Sequence, residues 1–517
     1  MTRAVGFPHP WGRTVMRYAM LALAISICGC GVAVSEPLDK QVMQLFGEGK
    51  YAEAEPLAKQ AIEQSIKKNG PDHPDTATSL SNLAVLYRTQ GKYDLAEPLL
   101  ERALAIREKA LGPDHISVAA ALNHFALLYT NQGKYDLAEP LYKRVLAIAE
   151  KSLGPDHRNT GSALNNFAEL YTIQGKYDLA EPLSKRALAI FEKALGPDHP
   201  ETATGLNNLA NIYRAQGKYD LAEPLYKQGL AIREKALGPD HISIAESLNS
   251  LAELYRVQAK YDLAEPLYKQ ALVMNEKALG PDHPSIAENS NNLALLYTAQ
   301  GKYDLAEPLY KRALAIFEKA LGPDHPETAT GLSNLAELYR VQGEYDLAEP
   351  LCKRALGIYE KVLGPDHPRT ATSLNNLALL YTAQDKYDLA EPVYKQSLLI
   401  VEKALGADHP YAATLRGNLG ELYATQGKYD LAEPLYKKSL LIVEEALGAG
   451  HPDTAKAWCN LGDLYATQGK YDLAEPLYKH SLLILEKTLG PDHPRTIKVS
   501  EDLAVVQAYR EAEATVK

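Results

Sequence analysis

The sequence predicts an all-α fold: a superhelical solenoid of about 11 tandem helix–turn–helix repeats, followed by a C-terminal capping helix. Two observations predict it. The string Gly-Lys-Tyr-Asp-Leu-Ala-Glu-Pro begins at Gly91 and returns at a fixed step of 42 residues. The composition, with 32 Tyr beside 6 Phe, 5 Met and 2 Trp, is the bias that copying one unit produces. The tyrosines of the string are Tyr51, Tyr93, Tyr135, Tyr177, Tyr219, Tyr261, Tyr303, Tyr345, Tyr387, Tyr429 and Tyr471.

Each unit begins with a predicted amphipathic helix. In residues 80–87, Leu, Leu, Ala and Tyr recur at the i, i+3, i+4, i+7 spacing of one helix face. The preceding His73-Pro74 suits a helix start, because proline fits the first helical position and favours an extended residue before it. Gly91 suits the end of the helix, because glycine readily adopts the left-handed conformation.

A second helix follows in each unit. Asp94 and Glu97 have the spacing of a capping box, which predicts a start at Asp94. The apolar residues of 95–106 form a broad face, wide enough to contact two neighbouring helices. Pro98 lies in the first turn, where it removes at most one hydrogen bond, and Gly112 followed by proline ends the helix.

The period alone also fits HEAT and armadillo units, which run to about 40–47 residues. The side-chain pattern decides between them. In the last full unit, the tetratricopeptide signature is matched by Trp458, Leu461, Gly462, Tyr465, Ala474, Tyr478 and Pro491.

The strings at 301–314 and 374–381 resemble kinesin light chains and their bacterial relatives, over about residues 45–510. The resemblance implies a tetratricopeptide repeat (TPR) solenoid that recognises peptides in its concave groove. Light chains also carry a heptad coiled coil that joins a motor chain. This sequence has no heptads, so motor attachment is not expected.

Residues 1–35 are predicted to form a targeting signal. Arg13 and Arg17 precede the apolar run 19–27, which is shorter than the roughly 20 residues that span a bilayer. Ala-Val-Ser at 33–35 fits the small-x-small cleavage site of a secretory signal. Residues 36–495 then form the solenoid and residues 496–517 the capping helix.

Two alternatives for this segment stay open. Ile-Cys-Gly-Cys at 27–30 resembles a bacterial lipobox with Cys30 as the lipidated residue. The segment could instead be an uncleaved anchor, or translation could begin at Met16. We expect an exported protein, periplasmic or attached to the envelope of a bacterium, and a cytoplasmic one if the segment is not a working signal. Contact with a membrane is expected only through this segment.

Several function classes are disfavoured. The net charge of −10, without basic clusters, argues against nucleic acid as a partner. Cys352 and Cys459, the two cysteines outside the signal region, form no disulfide framework. The Asp-His turns supply one histidine in each unit, and helices packed about 8–10 Å apart keep successive histidines from converging on a metal ion. We therefore expect turns and helix caps there, no metal, no cofactor and no enzymatic activity.

The first helices carry the candidate binding residues, because their exposed faces line the concave groove of such arrays. The position before a core leucine is asparagine in most units, with His124 and Ser250 as exceptions. An asparagine amide both donates and accepts, so it can pair with any peptide backbone. The asparagines are Asn82, Asn166, Asn208, Asn292, Asn334, Asn376, Asn418 and Asn460. Six residues further on lie Arg88, Arg214, Arg256 and Arg340, and acids occur between them at Glu169, Glu253, Glu337, Glu421 and Asp463.

Two interpretations of this row are open. The asparagines clamp an extended peptide whose side chains the arginines and acids select, or they bond neighbouring helices within the array. For the whole protein we predict a non-enzymatic scaffold that binds peptides or proteins of unknown identity in the groove. The alternative is a structural envelope component that associates with itself through the edges of the solenoid.

Overall fold

A computed structural model describes residues 37–516 of the chain, with side chains to residue 512. This range contains 23 α-helices and no strand, which confirms the all-α class. The predicted signal, residues 1–35 with Cys30, lies outside the described residues.

The helices alternate between a first and a second helix of each unit. The first helices are α1 (Pro37–Gly47), α3 (Pro74–Thr89), α5 (Ile116–Asn131), α7 (Arg158–Ile173), α9 (Pro200–Ala215), α11 (Ile242–Val257), α13 (Pro284–Ala299), α15 (Pro326–Gln342), α17 (Pro368–Ala383), α19 (Pro410–Thr425), α21 (Pro452–Thr467) and α23 (Pro494–Val516). The second helices are α2 (Tyr51–Asn69), α4 (Tyr93–Leu111), α6 (Tyr135–Leu153), α8 (Tyr177–Leu195), α10 (Tyr219–Leu237), α12 (Tyr261–Leu279), α14 (Tyr303–Ala320), α16 (Tyr345–Val362), α18 (Tyr387–Leu405), α20 (Tyr429–Leu447) and α22 (Tyr471–Thr488).

The first helices begin and end as predicted. The Nδ1 atom of His73 accepts a hydrogen bond from the backbone N–H of Asp75, at 3.2 Å, and so caps α3. At the other end, Gly91 has a φ of 70° and donates to the carbonyl of Arg88, while Lys92 N–H donates to the carbonyl of Tyr87. This pair of bonds is the Schellman motif that ends helices at a left-handed glycine.

The second helices differ from the predicted capping box. Helix α4 begins at Tyr93, and its N-cap residue Lys92 makes no side-chain capping bond. Glu97 instead accepts a hydrogen bond from the hydroxyl of Tyr129 in the next unit, at 3.0 Å. Leu95 lies 50% exposed and is not part of the apolar face. The predicted box was therefore wrong, because Glu97 bonds across the unit boundary rather than to its own helix start.

Tyrosine hydroxyls connect the units at this boundary. A first-helix tyrosine donates to the glutamate of the preceding second helix 32 residues earlier, as Tyr255 does to Glu223 and Tyr297 to Glu265. Other tyrosines fill the interior, and Tyr226 is fully buried. Successive first helices contact one another. They form the inner, concave wall of the superhelix.

The superhelix turns tightly enough for its second turn to rest on its first. The Nε2 atom of His325 lies 2.8 Å from the carbonyl oxygen of Thr89, 236 residues earlier, and that of His367 lies 3.2 Å from the carbonyl of Asn131. One superhelical turn thus takes between five and six units. We call this contact between turns the seam.

Polar contacts hold the two end helices. In α1, Asp39 is buried and accepts from Ser79, at 2.9 Å, and from Asn82, at 2.8 Å. Near the other end, Gln507 of α23 donates to Glu475. Helix α23 begins two residues before the predicted boundary at 496.

Candidate functional site: the concave wall of the superhelix

The predicted asparagine row lies along the junctions between first helices. Three of its amides donate from Nδ2 to the preceding first helix: Asn82 to Asp39 at 2.8 Å, Asn166 to Asn123 at 2.9 Å and Asn418 to Asn375 at 2.9 Å. These side chains remain partly exposed, whereas Asn334 is buried. One N–H of each of the three amides is thus engaged within the array. Peptide binding by the row stays a prediction.

A second asparagine row lies one residue earlier, and sequence reasoning missed it. Asn207 donates to the hydroxyl of Ser247 at 3.2 Å, and Asn249 donates to Asn289 at 2.7 Å. Both are buried. This second row has the same 42-residue spacing in the sequence. Only the neighbouring row, which lies nearer to the core leucines, was interpreted as a candidate binding site. The second row connects helices within the array.

Two of the predicted arginines are held by glutamates of the same helix. Arg256 donates from Nε and Nη2 to the two carboxylate oxygens of Glu253, both at 2.8 Å. Arg340 makes the same fork to Glu337, both at 2.7 Å. Such bidentate pairs satisfy donor and acceptor together.

The acids of the row occupy unlike environments. Burial raises the pKa of Glu169 to about 8, and the positive charge of Arg88 opposes that shift. Burial also raises the pKa of Asp463 to about 6, and the Tyr478 hydroxyl, which donates to this carboxylate at 2.5 Å, opposes that shift. Glu421 is exposed. At neutral pH, much of the Glu169 population is therefore uncharged.

The Asp-His turns are structural. Each histidine caps its own helix, and Asp72 pairs with Lys109 of the following second helix at 2.7 Å. Among residues 37–516, no group of three or more His, Cys, Asp or Glu side chains is arranged to hold a metal ion. Within the same range, no helix combines the length and apolarity needed to cross a membrane.

The repeat geometry agrees with comparison to known families. The tetratricopeptide repeat family model matches this sequence in overlapping segments that together run from residue 40 to residue 515. The chain belongs to the tetratricopeptide repeat family. The segments matched are 40–109, 81–151, 117–193, 159–235, 206–276, 243–319, 285–340, 327–398, 375–442, 411–482 and 453–515.

Several solved structures are similar to this one over part of its length. A putative kinesin light chain of Podosopora anserina, with nearly identical TPR-like repeats, is 30% identical, with 40% of this chain and 98% of that chain covered and a TM-score of 0.34. BtubC of P. vanneervenii is 24% identical, with 45% and 91% covered and a TM-score of 0.36. A Rap protein complexed with competence and sporulation factor is 17% identical, with 72% and 98% covered and a TM-score of 0.47. No curated protein matches the sequence.

Arg88 is the exception in the concave wall of this tetratricopeptide array. Its side chain is buried, with 3% exposed, and its Nε and Nη2 atoms have no hydrogen-bond partner among the described residues. The glutamate that holds Arg256 and Arg340 is replaced here by Val85. Burial lowers the pKa of Arg88. Arg88 is therefore a buried cation whose donors are not fully used.

His124, on the first helix between those of Arg88 and Glu169, adds no second positive charge. Burial lowers the pKa of His124 to about 3, and the positive charges of Arg88 and Arg107 lower it further. The imidazole is thus neutral at physiological pH. In this stretch of the wall, from α3 to α7, no charged side chain directly contacts the guanidinium of Arg88.

Proposed function

We propose that this chain is a non-enzymatic scaffold that binds an extended protein segment in its concave groove. Tetratricopeptide solenoids present extended concave surfaces of this kind. Arg88 carries the proposal: a buried guanidinium with unused donors favours a ligand that supplies a carboxylate. The ligand chemistry is therefore acidic, from Asp or Glu side chains or from a peptide C-terminus.

A neutral Glu169 supports the same ligand. A deprotonated carboxylate at this position would repel an acidic segment, but burial keeps a large share of it protonated at neutral pH. The protonated acid can donate a hydrogen bond to the incoming carboxylate. Arg256 and Arg340, already paired with glutamates, would contribute less to affinity, because an existing bidentate bond must be broken first.

Peptide selection tests this proposal. We expect random peptides captured by the purified protein to be enriched in acidic residues, and the Arg88→Gln variant to bind them at least tenfold more weakly. Arg102→Gln, an exposed arginine on the second helix α4, is the matched control and should bind as the native chain does. Peptides with free and amidated C-termini distinguish the two sources of carboxylate. Selected peptides without acids, or equal binding by Arg88→Gln, would contradict the assignment.

The asparagine row needs a separate test. Replacing Asn292, Asn334 and Asn376 together with alanine removes three amides from the middle of the row. If the row binds the peptide backbone, affinity falls for all captured peptides while the melting temperature changes little. Retained capture with a lowered melting temperature would assign the row to the stability of the array.

A further inference from the structure

The seam between superhelical turns joins two edges of the solenoid. The lower edge, which we call the His edge, consists of the Leu-Gly-Pro-Asp-His-Pro turns that precede the first helices. The upper edge, the Gly–Tyr edge, consists of the turns between first and second helix. Each turn has a tyrosine, preceded two residues earlier by glycine in most turns and by Ala259 or Asp385 in two. In the seam, the His edge of the second turn rests on the Gly–Tyr edge of the first.

The fit at the seam is close. A Cβ atom built on Gly217 would lie 2.8 Å from both His451 Cδ2 and Pro452 Cδ, and one on Gly91 would lie 3.0 Å from Pro326 Cδ. Apolar side chains take part as well, since Leu321 packs against the buried cluster formed by α1 to α5. A side chain at Gly217 or Gly91 would crowd the histidine-proline pair that faces it.

The same two edges are uncovered at opposite ends of the molecule. On the upper edge of the second turn, a Cβ built on Gly301, Gly343, Gly427 or Gly469 would meet nothing within 4 Å. Tyr135, which the seam covers, is 6% exposed, whereas its counterpart Tyr345 is only half-buried.

The lower edge of the first turn shows the complementary difference. The side chain of His73 is 44% exposed, against 7% for His451 in the seam. Leu111, the counterpart of Leu321, is 37% exposed. Within the described chain no element covers either edge. The uncovered histidines are His73, His115, His157, His199 and His241, and the uncovered turns hold Gly301, Gly343, Asp385, Gly427 and Gly469.

We infer that a second copy of this chain docks its His edge on the uncovered Gly–Tyr edge, so that copies stack head to tail along the superhelix axis. The two surfaces already meet inside one chain and recur at a 42-residue spacing. In the stretch proposed to dock, Ile116 and Arg158 replace the proline after the histidine, and Asp385 replaces a glycine. Such an interface is heterologous and leaves one edge free at each end, so it generates an open filament rather than a closed ring.

The register of the stack follows from the repeat. If a second copy were placed eleven units further along the superhelix, its α1 would occupy the same space as α23 of the first copy. A copy placed twelve units further avoids this overlap and pairs four positions, with His73 on Gly343 and His115 on Asp385. His157 and His199 then meet Gly427 and Gly469. Leu111 and Tyr345 lie within this stretch, so both belong to the proposed interface.

Two single substitutions test the interface from its two sides. Leu111→Glu places a charge on the His edge, and Tyr345→Glu places one on the Gly–Tyr edge. Leu347→Glu is the matched control, because Leu347 is 50% exposed and its counterpart Leu137 stays 49% exposed beside the formed seam. Circular dichroism melts establish that each variant is folded. Sedimentation velocity over a hundredfold range of concentration then measures the mass.

The native chain and Leu347→Glu should form species that lengthen with concentration, while Leu111→Glu and Tyr345→Glu should each remain monomers. A one-to-one mixture of these two variants has one working interface and should stop at a dimer. A native chain that stays monomeric throughout would overturn the proposal. So would a mixture that stays monomeric while both variants are folded, or single variants that still polymerise. None of these outcomes depends on peptide binding in the groove.

Discussion

At the scale of the single residue, Ala259 stands where most units have glycine. Its φ is 54°, in the left-handed region that costs a residue with a Cβ about 1–2 kcal/mol relative to its usual conformations. Glycine adopts this conformation without that cost. We therefore expect Ala259→Gly to raise the free energy of unfolding by about 1 kcal/mol, measured from urea denaturation midpoints. The reverse change at Gly301, where φ is 71°, should lower it, and equal midpoints for both variants would contradict the argument.

At the scale of the helix, the tyrosine–glutamate bond between units is the repeated connection. Tyr297→Phe removes the hydroxyl that donates to Glu265 at 3.1 Å and leaves the ring packing intact. Hydrogen bonds to charged groups contribute about 1.5–3 kcal/mol, and partial exposure of this pair reduces that to about 1 kcal/mol. Amide hydrogen exchange should quicken in α12 and α13, because the lost bond joins these two helices. Tyr509→Phe, an exposed ring in α23, serves as control and should leave exchange unchanged.

The helices were predictable because the sequence signals that determine them are local. The contacts that side chains make between units were not predictable. His73-Pro74 and Gly91 determine the ends of α3 within a few residues. The start of α4 was misplaced because the carboxylate of Glu97 has a better partner in the next unit than in its own helix. At the site, the sequence indicated Arg88, but not that its side chain is buried with two nitrogen atoms lacking a hydrogen-bond partner, whereas glutamates hold Arg256 and Arg340. Val85 in place of that glutamate can be read from the sequence, but the burial of Arg88 depends on how the helices pack.

At the scale of the whole molecule, the seam could not be anticipated from the sequence. His73 and His325 stand in nearly identical turns, yet one is exposed and the other is buried against a backbone carbonyl. Only the curvature accumulated over between five and six units decides which histidine is covered.

In the seam, Nδ1 of His325 accepts from the N–H of Glu327, so Nε2 carries the proton and donates to Thr89. The seam therefore requires a neutral imidazole.

This requirement predicts that the molecule loses stability in mild acid. Burial lowers the pKa of His325 from 6.5 to about 4, with Glu327 opposing and Arg369 reinforcing the shift, and burial together with Arg369 lowers that of His367 to about 3. Between pH 6.5 and about 4 the unfolded chain therefore binds more protons than the folded chain. The free energy of unfolding therefore decreases as the pH is lowered through this range, by up to about 1.4 kcal/mol per pH unit for each such histidine. Denaturation midpoints from pH 7.5 to 4.5 measure the slope. Burial lowers the pKa values of His283 and His493 as well, to about 4, so several histidines contribute to the slope. Asparagine caps helices well and does not titrate, so the double variant His325→Asn, His367→Asn should reduce the slope. An unchanged slope would show that these two seam histidines are not responsible.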